Sequence, residues 1–169
     1  MNILLQAPDE AAIPLLKTLI QELYDHEVMA QTAEGTFSAV EALLANPQLG
    51  HIWMIQIDDP TRGLITVGHV AIAYSFSIEH GGKVAYMDQL YLRKEWRNQG
   101  IGQYILPRIE RFIHQQGASV LLLETNIGNG DARRFYERHG YVARRQFCLM
   151  GKKMGQTDTT HHAADEVLA

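Results

Sequence analysis

The run from Lys83 to Thr125 constrains the fold more than any other part of the chain. "KVAYMDQLYL" at 83–92 is rich in apolar and aromatic residues and reads as a strand. A basic, glycine-dotted turn, "RKEWRNQG", comes next. Helical period then returns from Gly102, with Ile105, Ile109, Phe112 and Ile113 on one face and Gly117 as the stop. "SVLLLET" at 119–125 is an unbroken apolar run, the pattern of a strand covered on both faces. A strand, a helix and a second strand in this order fit a right-handed parallel crossover.

The segments on either side add antiparallel strands and further helices. "HIWMIQI" at 51–57, "LITVGHVAIAYSFSI" at 64–78 and the strand at 83–92 are joined by the turns "DDPTRG" and "EHGG", which predicts a meander. Before them, "NILLQA" reads as a first strand, and Asp9 is placed to cap the helix after it. Ile13, Leu16, Ile20 and Leu23 predict a helix to about His26, with Pro14 in its first turn. Phe37, Val40, Leu43 and Leu44 predict a second helix, stopped at Asn46-Pro47. After the crossover, a helix from Asp131 to about His139 is closed by Gly140, and "YVARRQFCLMGKKM" at 141–154 reads as a final strand. The order β-α-α-β-β-β-α-β-α-β predicts an α/β fold with a mixed, mostly antiparallel sheet and helices on both faces. Residues 1–154 are expected to form a single domain, and the polar, unpatterned 155–169 a mobile tail.

Composition narrows the partners. No apolar run approaches the ~18 residues of a membrane span, and "MNILLQAPDE" lacks the basic start of a signal peptide. Cys148 is the only cysteine, so no internal disulfide forms; it is expected as a small core residue of the final strand, in a reducing cytoplasm. The eight histidines show no ligand spacing, so no metal site is expected. The net charge of −4 argues against nucleic acid, but its distribution is uneven. Residues 1–89 carry 11 acids and 3 bases, and residues 90–169 carry 8 and 12. An acidic front and a basic back suit a cationic ligand on one side and an anionic one on the other; a chance spread of solvated charge gives the same count.

"RNQGIG", Arg97 to Gly102, sits between strand and helix. Its glycines let main-chain N–H groups approach a ligand, and the first amides of the new helix point into the same turn. With the helix dipole behind them they make a nest for a phosphate or pyrophosphate. A Walker loop requires Lys-Ser/Thr after the second glycine, and a dinucleotide fingerprint requires a glycine where Ile105 stands. A loop that uses glycines merely to turn remains the plain alternative.

R-x-x-G-x-G after a strand ending "DQLYL" resembles the acetyl-CoA-binding motif of the GNAT superfamily of N-acetyltransferases. "NGDARRFYERHGY", Asn129 to Tyr141, resembles the family's N-x-x-A-x-x-F-Y-x-x-x-G-[FY] signature. The resemblance covers about residues 3–154, and "LIQELYDHE" with "AYMDQLYL" is most similar to the diamine and thialysine branch. It implies a sheet splayed between its fourth and fifth strands, acetyl-CoA as cosubstrate, no metal, and a homodimer by family analogy.

The resemblance also implies roles. Leu90 and Leu92 would bond the pantetheine arm through the main chain, with the Leu90 N–H as oxyanion donor. Arg97, Asn98, Gln99, Gly100, Ile101 and Gly102 would hold the phosphates. Tyr136 would protonate the departing thiolate, or else be a core tyrosine beside Phe135. Asn129 would contact the pantetheine amides, a role that competes with capping the helix. An amine is neutral only if it loses a proton held near pKa ~10, so a base is needed. Strand alternation puts Tyr86, Asp88 and Leu90 on one face, and Asp88 is the candidate base and ammonium ligand. Asp88 also reads as a strand-end acid on the solvent face; Glu124 is a second candidate base and reads equally as a structural ion-pair partner. Glu22, Asp25, Glu27 and Glu34 are candidates for an acidic mouth, with Tyr86 and Glu27 toward the acceptor. The implied function is acetyl transfer to a primary amine of a small cationic acceptor such as a polyamine or diamine. Peptide or protein N-acetylation and a non-catalytic acyl-CoA-binding module are the alternatives.

Overall fold

The computed structural model describes residues 2–27 and 33–152. The expected tail at 155–169 and the Glu34 side chain lie outside the described residues. The chain divides into two compact units, Met1–Glu124 and Thr125–Ala169.

The first unit holds a five-stranded sheet in the order β1-β2-β3-β4-β5. Its strands are β1 (Asn2–Gln6), β2 (Gly50–Asp59), β3 (Gly63–Ser77), β4 (Gly82–Leu92) and β5 (Val120–Leu123). The first four pair antiparallel and β4–β5 is parallel, as the crossover requires. Asp9 Oδ1 accepts from the Ala12 N–H at 2.9 Å and caps a 3-10 turn that runs into α1 (Ile13–Glu27). The next helix, α2, spans Ala33–Ala45, and α3 spans Ile101–Gln115.

Register separates the two faces of the sheet. Ile52, Met54, Ala71 and Tyr91 face one way and form a core with Leu16, Leu19 and Ile20 of α1 and Val40 of α2. Trp53 faces the other way, its ring edge-on to Phe112 of α3 at 5.0 Å. Ile101, Ile105, Leu106, Ile109 and Ile113 are the buried stripe of α3. The strand expected at 119–125 is shorter than its apolar run: β5 stops at Leu123, and its four residues are half-buried. It is the last strand of the sheet, so one edge lacks the cover that an interior parallel strand has.

The second unit contains α4 (Gly130–Arg138). The strand expected at 141–154 is not present within its described part, 141–152. That segment folds back locally: Phe147 N–H donates to Arg144 O at 3.1 Å, and the Arg144 guanidinium lies 4.2 Å from the centre of the Phe147 ring. An apolar alternation makes a strand only beside a strand that accepts its hydrogen bonds. Val142, Leu149 and Met150 are exposed, and so is Cys148, which corrects its expected place in a strand core.

Candidate active site

The strand β4 has two neighbours for half its length and one for the rest. Its pairing with β5 runs from Val84↔Val120 to Met87↔Leu123 and ends there. Its pairing with β3 continues to Leu92↔Gly68. Among the described residues, therefore, no strand lies beside the β5-facing edge of β4 from Asp88 onward. This is a splay between the fourth and fifth strands, and it lies wholly within the first unit.

A bulge sits at the point of divergence. Met87 pairs with Ile72 and Gln89 with the adjacent Ala71, so Asp88 is an extra residue in β4. The insertion changes which main-chain groups face the gap. Before it, Lys83 O accepts from Ser119 N–H at 3.1 Å, so odd-numbered residues direct their amides toward β5. After it, Arg93 N–H donates to Val67 O at 2.9 Å, so odd-numbered residues face β3. Alternation then turns the N–H groups of Leu90 and Leu92 into the gap.

The bulge also corrects the expected common face of Tyr86, Asp88 and Leu90. Tyr86 pairs with Ala73 and Leu90 with Val70, three residues apart on β3. Their side chains therefore lie on opposite faces of the sheet. Tyr86 shares its face with Gln89, and the Leu90 side chain lies on the other.

Three titratable groups meet where the strands part. The Tyr86 phenol is held above its ordinary range by burial, by its hydrogen bond with Glu124, and by the charges of Glu124 and Asp88. The Asp88 carboxyl is pushed up by desolvation first and by the negative charge of Glu124 second. Asp88 nonetheless reaches solvent, the combination expected of a carboxyl on the wall of a concave opening. Glu124, which directly follows β5, stands beside Asp88 because Met87 and Leu123 are in register.

The glycine turn comes immediately after β4. A 3-10 turn at Lys94–Trp96 leads to Asn98 at φ 59° and Gly100 at φ 79°. Gly100 caps α3, and Tyr104 N–H donates to its carbonyl at 3.0 Å. Among the described residues, the amides of Gly100, Ile101, Gly102 and Gln103 have no hydrogen-bond partner. A Cβ on Gly100 would meet nothing within 4 Å, so open space lies beside these amides. Those features fit an anionic phosphate. Gln99 is spent locally, its amide donating to Glu95 O at 2.6 Å.

Arg97 has a different place from the one expected. Its Nε donates to Leu92 O at 2.7 Å, its guanidinium lies 3.1 Å from His26 Nε2, and it rests 5.6 Å from the centre of the Tyr91 ring. The side chain ties the turn to β4 and α1. Glu22 is likewise committed: it accepts two bonds from Arg93, at 2.8 and 3.0 Å, and one from Tyr91 OH at 3.3 Å. The Arg93 hydrogen bonds hold its carboxyl below the usual range. Asp25 accepts from Gln21 at 2.9 Å, and Glu27 ends α1 partly exposed.

In the second unit, Asn129 caps α4, its Oδ1 accepting from Ala132 N–H at 3.0 Å. Tyr136 is half-buried, with Phe135 and Tyr141 edge-on at 5.1 and 5.4 Å. Burial raises its phenol to about 12, so it stays protonated at neutral pH. Among the described residues, no three His, Cys, Asp or Glu side chains gather as a metal site, and no helix is long and apolar enough to cross a membrane.

Comparison with known proteins agrees with this geometry. A profile of the Acetyltransferase (GNAT) family matches residues 15–141. The chain belongs to the GNAT family. It is 35% identical over 75 residues to an aminoalkylphosphonate N-acetyltransferase of Salmonella typhimurium, a match covering 44% of this chain and 49% of that protein. It is 25% identical over 99 residues to the aminoglycoside N(6')-acetyltransferase type 1 of Serratia marcescens, over 56% and 68% of the two chains. The match thus spans about half the length of the first GNAT relative. The structure of AAC(6')-Iy in complex with the bisubstrate analogue CoA-S-monomethyl-acetylneamine superposes with a TM-score of 0.74 over 90% of this chain and 99% of that one. At 10% identity, that likeness speaks for the GNAT fold alone.

The residues that sequence reading missed are Gln89, His69 and the Glu22–Arg93 pair. His69 carried a faint signal: a histidine two residues before Ala71 in a strand whose inward positions are otherwise apolar.

Proposed function

We propose that this protein is an acetyl-CoA-dependent N-acetyltransferase that acts on a primary amine of a small cationic acceptor, a polyamine or diamine being the favoured class. The bulge at Asp88 carries the reading. It turns the Leu90 and Leu92 amides into a gap with no strand in it, directly before a turn with unpaired amides and open space. The amides from Gly100 to Gln103 would receive the phosphates, and acetyl-CoA would supply the activated acyl group. Asp88, with Glu124 beside it, would bind the ammonium and take its proton, freeing the nitrogen lone pair. The Leu90 N–H would donate to the carbonyl oxygen as the N–C bond forms. Tyr136 would give its proton to the sulfur as the C–S bond breaks, an assignment that rests on the family signature.

The adjacent carboxylates favour a cation, and the two relatives' names span an amine bearing an anionic phosphonate and one on a polycationic sugar. A panel of polyamines, diamines, an aminoglycoside, an aminoalkylphosphonate, neutral amines and a lysine peptide, followed by thiol release from acetyl-CoA, tests the reading. Preferred turnover of the polyamines is expected. Equal or faster turnover of the aminoalkylphosphonate would overturn the acceptor class, and absence of thiol release with every amine would overturn the activity.

A further inference from the structure

The half of β4 that lacks β5 is held from a different direction. Gln89, Tyr91 and Arg93, every second residue, bond to α1: Gln89 Nε2 to Tyr24 OH at 3.1 Å, and Tyr91 and Arg93 to Glu22. Gln89 is held at both ends, since its Oε1 lies 2.9 Å from His69 Nε2. Thr36 of α2 adds a bond to Tyr24 OH at 3.4 Å. His69 is fully buried, and among the described residues its Nδ1 has no partner. A proton on Nδ1 would be a buried donor without an acceptor, so the proton is on Nε2 and points at Gln89. A buried histidine with one nitrogen unsatisfied is a costly way to fill a core. Its presence secures the orientation of Gln89, the residue directly after the bulge.

We propose that Gln89 is a positioning residue for acyl transfer: fixed between Tyr24 and His69, it holds the bulge at Asp88 in the phase that keeps the Leu90 amide facing the gap. A strand with one bare edge has only β3 to set its register there, and moving the bulge along it sends each side chain it passes to the other face of the sheet. Shifting it beyond Leu90 would return that amide to β3 and turn the Gln89 side chain to the other face, away from Tyr24 and His69. The hydrogen bonds to α1 and His69 prevent the shift, so the helix on the acceptor side of the sheet sets the donor in the gap. This inference deepens the acetyltransferase reading and rests on it.

Tyr24→Phe, Gln89→Leu and the double variant test it, with Thr66→Val as a control that loses a comparable side-chain bond, Gln56 to Thr66 at 3.3 Å, away from the bulge. Expected is a loss of kcat of at least about tenfold in Gln89→Leu and a smaller loss in Tyr24→Phe, with KM for acetyl-CoA within about twofold. The double variant should be no worse than Gln89→Leu, and Thr66→Val should match wild type. The backbone amide resonances of Asp88 and Leu90 should move in both single variants while that of Val84 stays. If Gln89→Leu does not fold, Tyr24→Phe decides, because it removes one hydroxyl and keeps the bond from Gln89 to His69. Unchanged kcat per folded molecule together with an unmoved Leu90 amide would overturn the proposal. Should the wild type acetylate nothing, the activity reading fails by itself, and the Leu90 resonance still decides whether Gln89 sets the bulge.

Discussion

His69 is fully buried, and burial pushes its imidazole from 6.5 down to about 4, against smaller upward pulls from Gln89 and Glu22. Between these two values an unfolded chain binds a proton that the folded chain refuses. Stability therefore rises with pH across this window: the full contribution is present above 6.5 and is lost as pH falls toward 4. At 1.36 kcal/mol per pH unit, the loss comes to about 3 kcal/mol, a large part of the stability of a small domain. Urea unfolding of wild type and His69→Met at pH 7.5, 6.5, 5.5 and 4.5 measures it. At pH 7.5 the variant should be less stable by about 1–3 kcal/mol, since Gln89 Oε1 loses its donor. Toward pH 4.5 the two should converge, then cross. Glu22 is displaced in the same direction, lowered below 4.5 chiefly by its hydrogen bonds from Arg93, so its contribution is lost only as pH falls below 4.5, under most of the His69 window. Parallel stability curves across the window would refute the argument, because they would mean His69 is solvated or charged in the folded state.

Three further outcomes are expected. Gly100→Glu should weaken CoA binding at least about tenfold, because the carboxylate enters the open space beside the unpaired amides proposed to take the phosphates; calorimetry showing wild-type affinity would remove that role. Tyr136→Phe should lower kcat by about a hundredfold while CoA affinity holds; an unchanged kcat would mean another group protonates the sulfur. Glu124→Gln removes the negative charge that raises Asp88, so the acid limb of the kcat/KM profile should move to lower pH. A limb that stays put would show that Asp88 does not produce it.

The meander, α3 and the strand–turn–helix around Gly100 were legible because their signals are local. Period, turn residues and breakers lie within a few positions of one another. The bulge was not. "YMDQLYL" reads as continuous alternation, and the extra residue at Asp88 exists only relative to Ile72 and Ala71 on β3. For the same reason the common face of Tyr86 and Leu90 was misread. The commitment of Glu22 to Arg93 joins residues 71 positions apart, and nothing in either neighbourhood announces it. The final strand failed for the complementary reason: Phe147 and Leu149 alternate properly, yet a local turn takes their segment instead.

Unpaired main chain on an outer strand invites other polypeptides to stack against it, and proteins normally blunt such rims with charge, proline or a covering helix. The bare stretch of β4 from Asp88 to Leu92 lies inside the sheet order, beginning where β5 ends. A stray strand from another molecule would have to enter a notch already bounded on one side by β5. A chain of acceptors seated in that notch would occupy the same main chain that a second polypeptide would need.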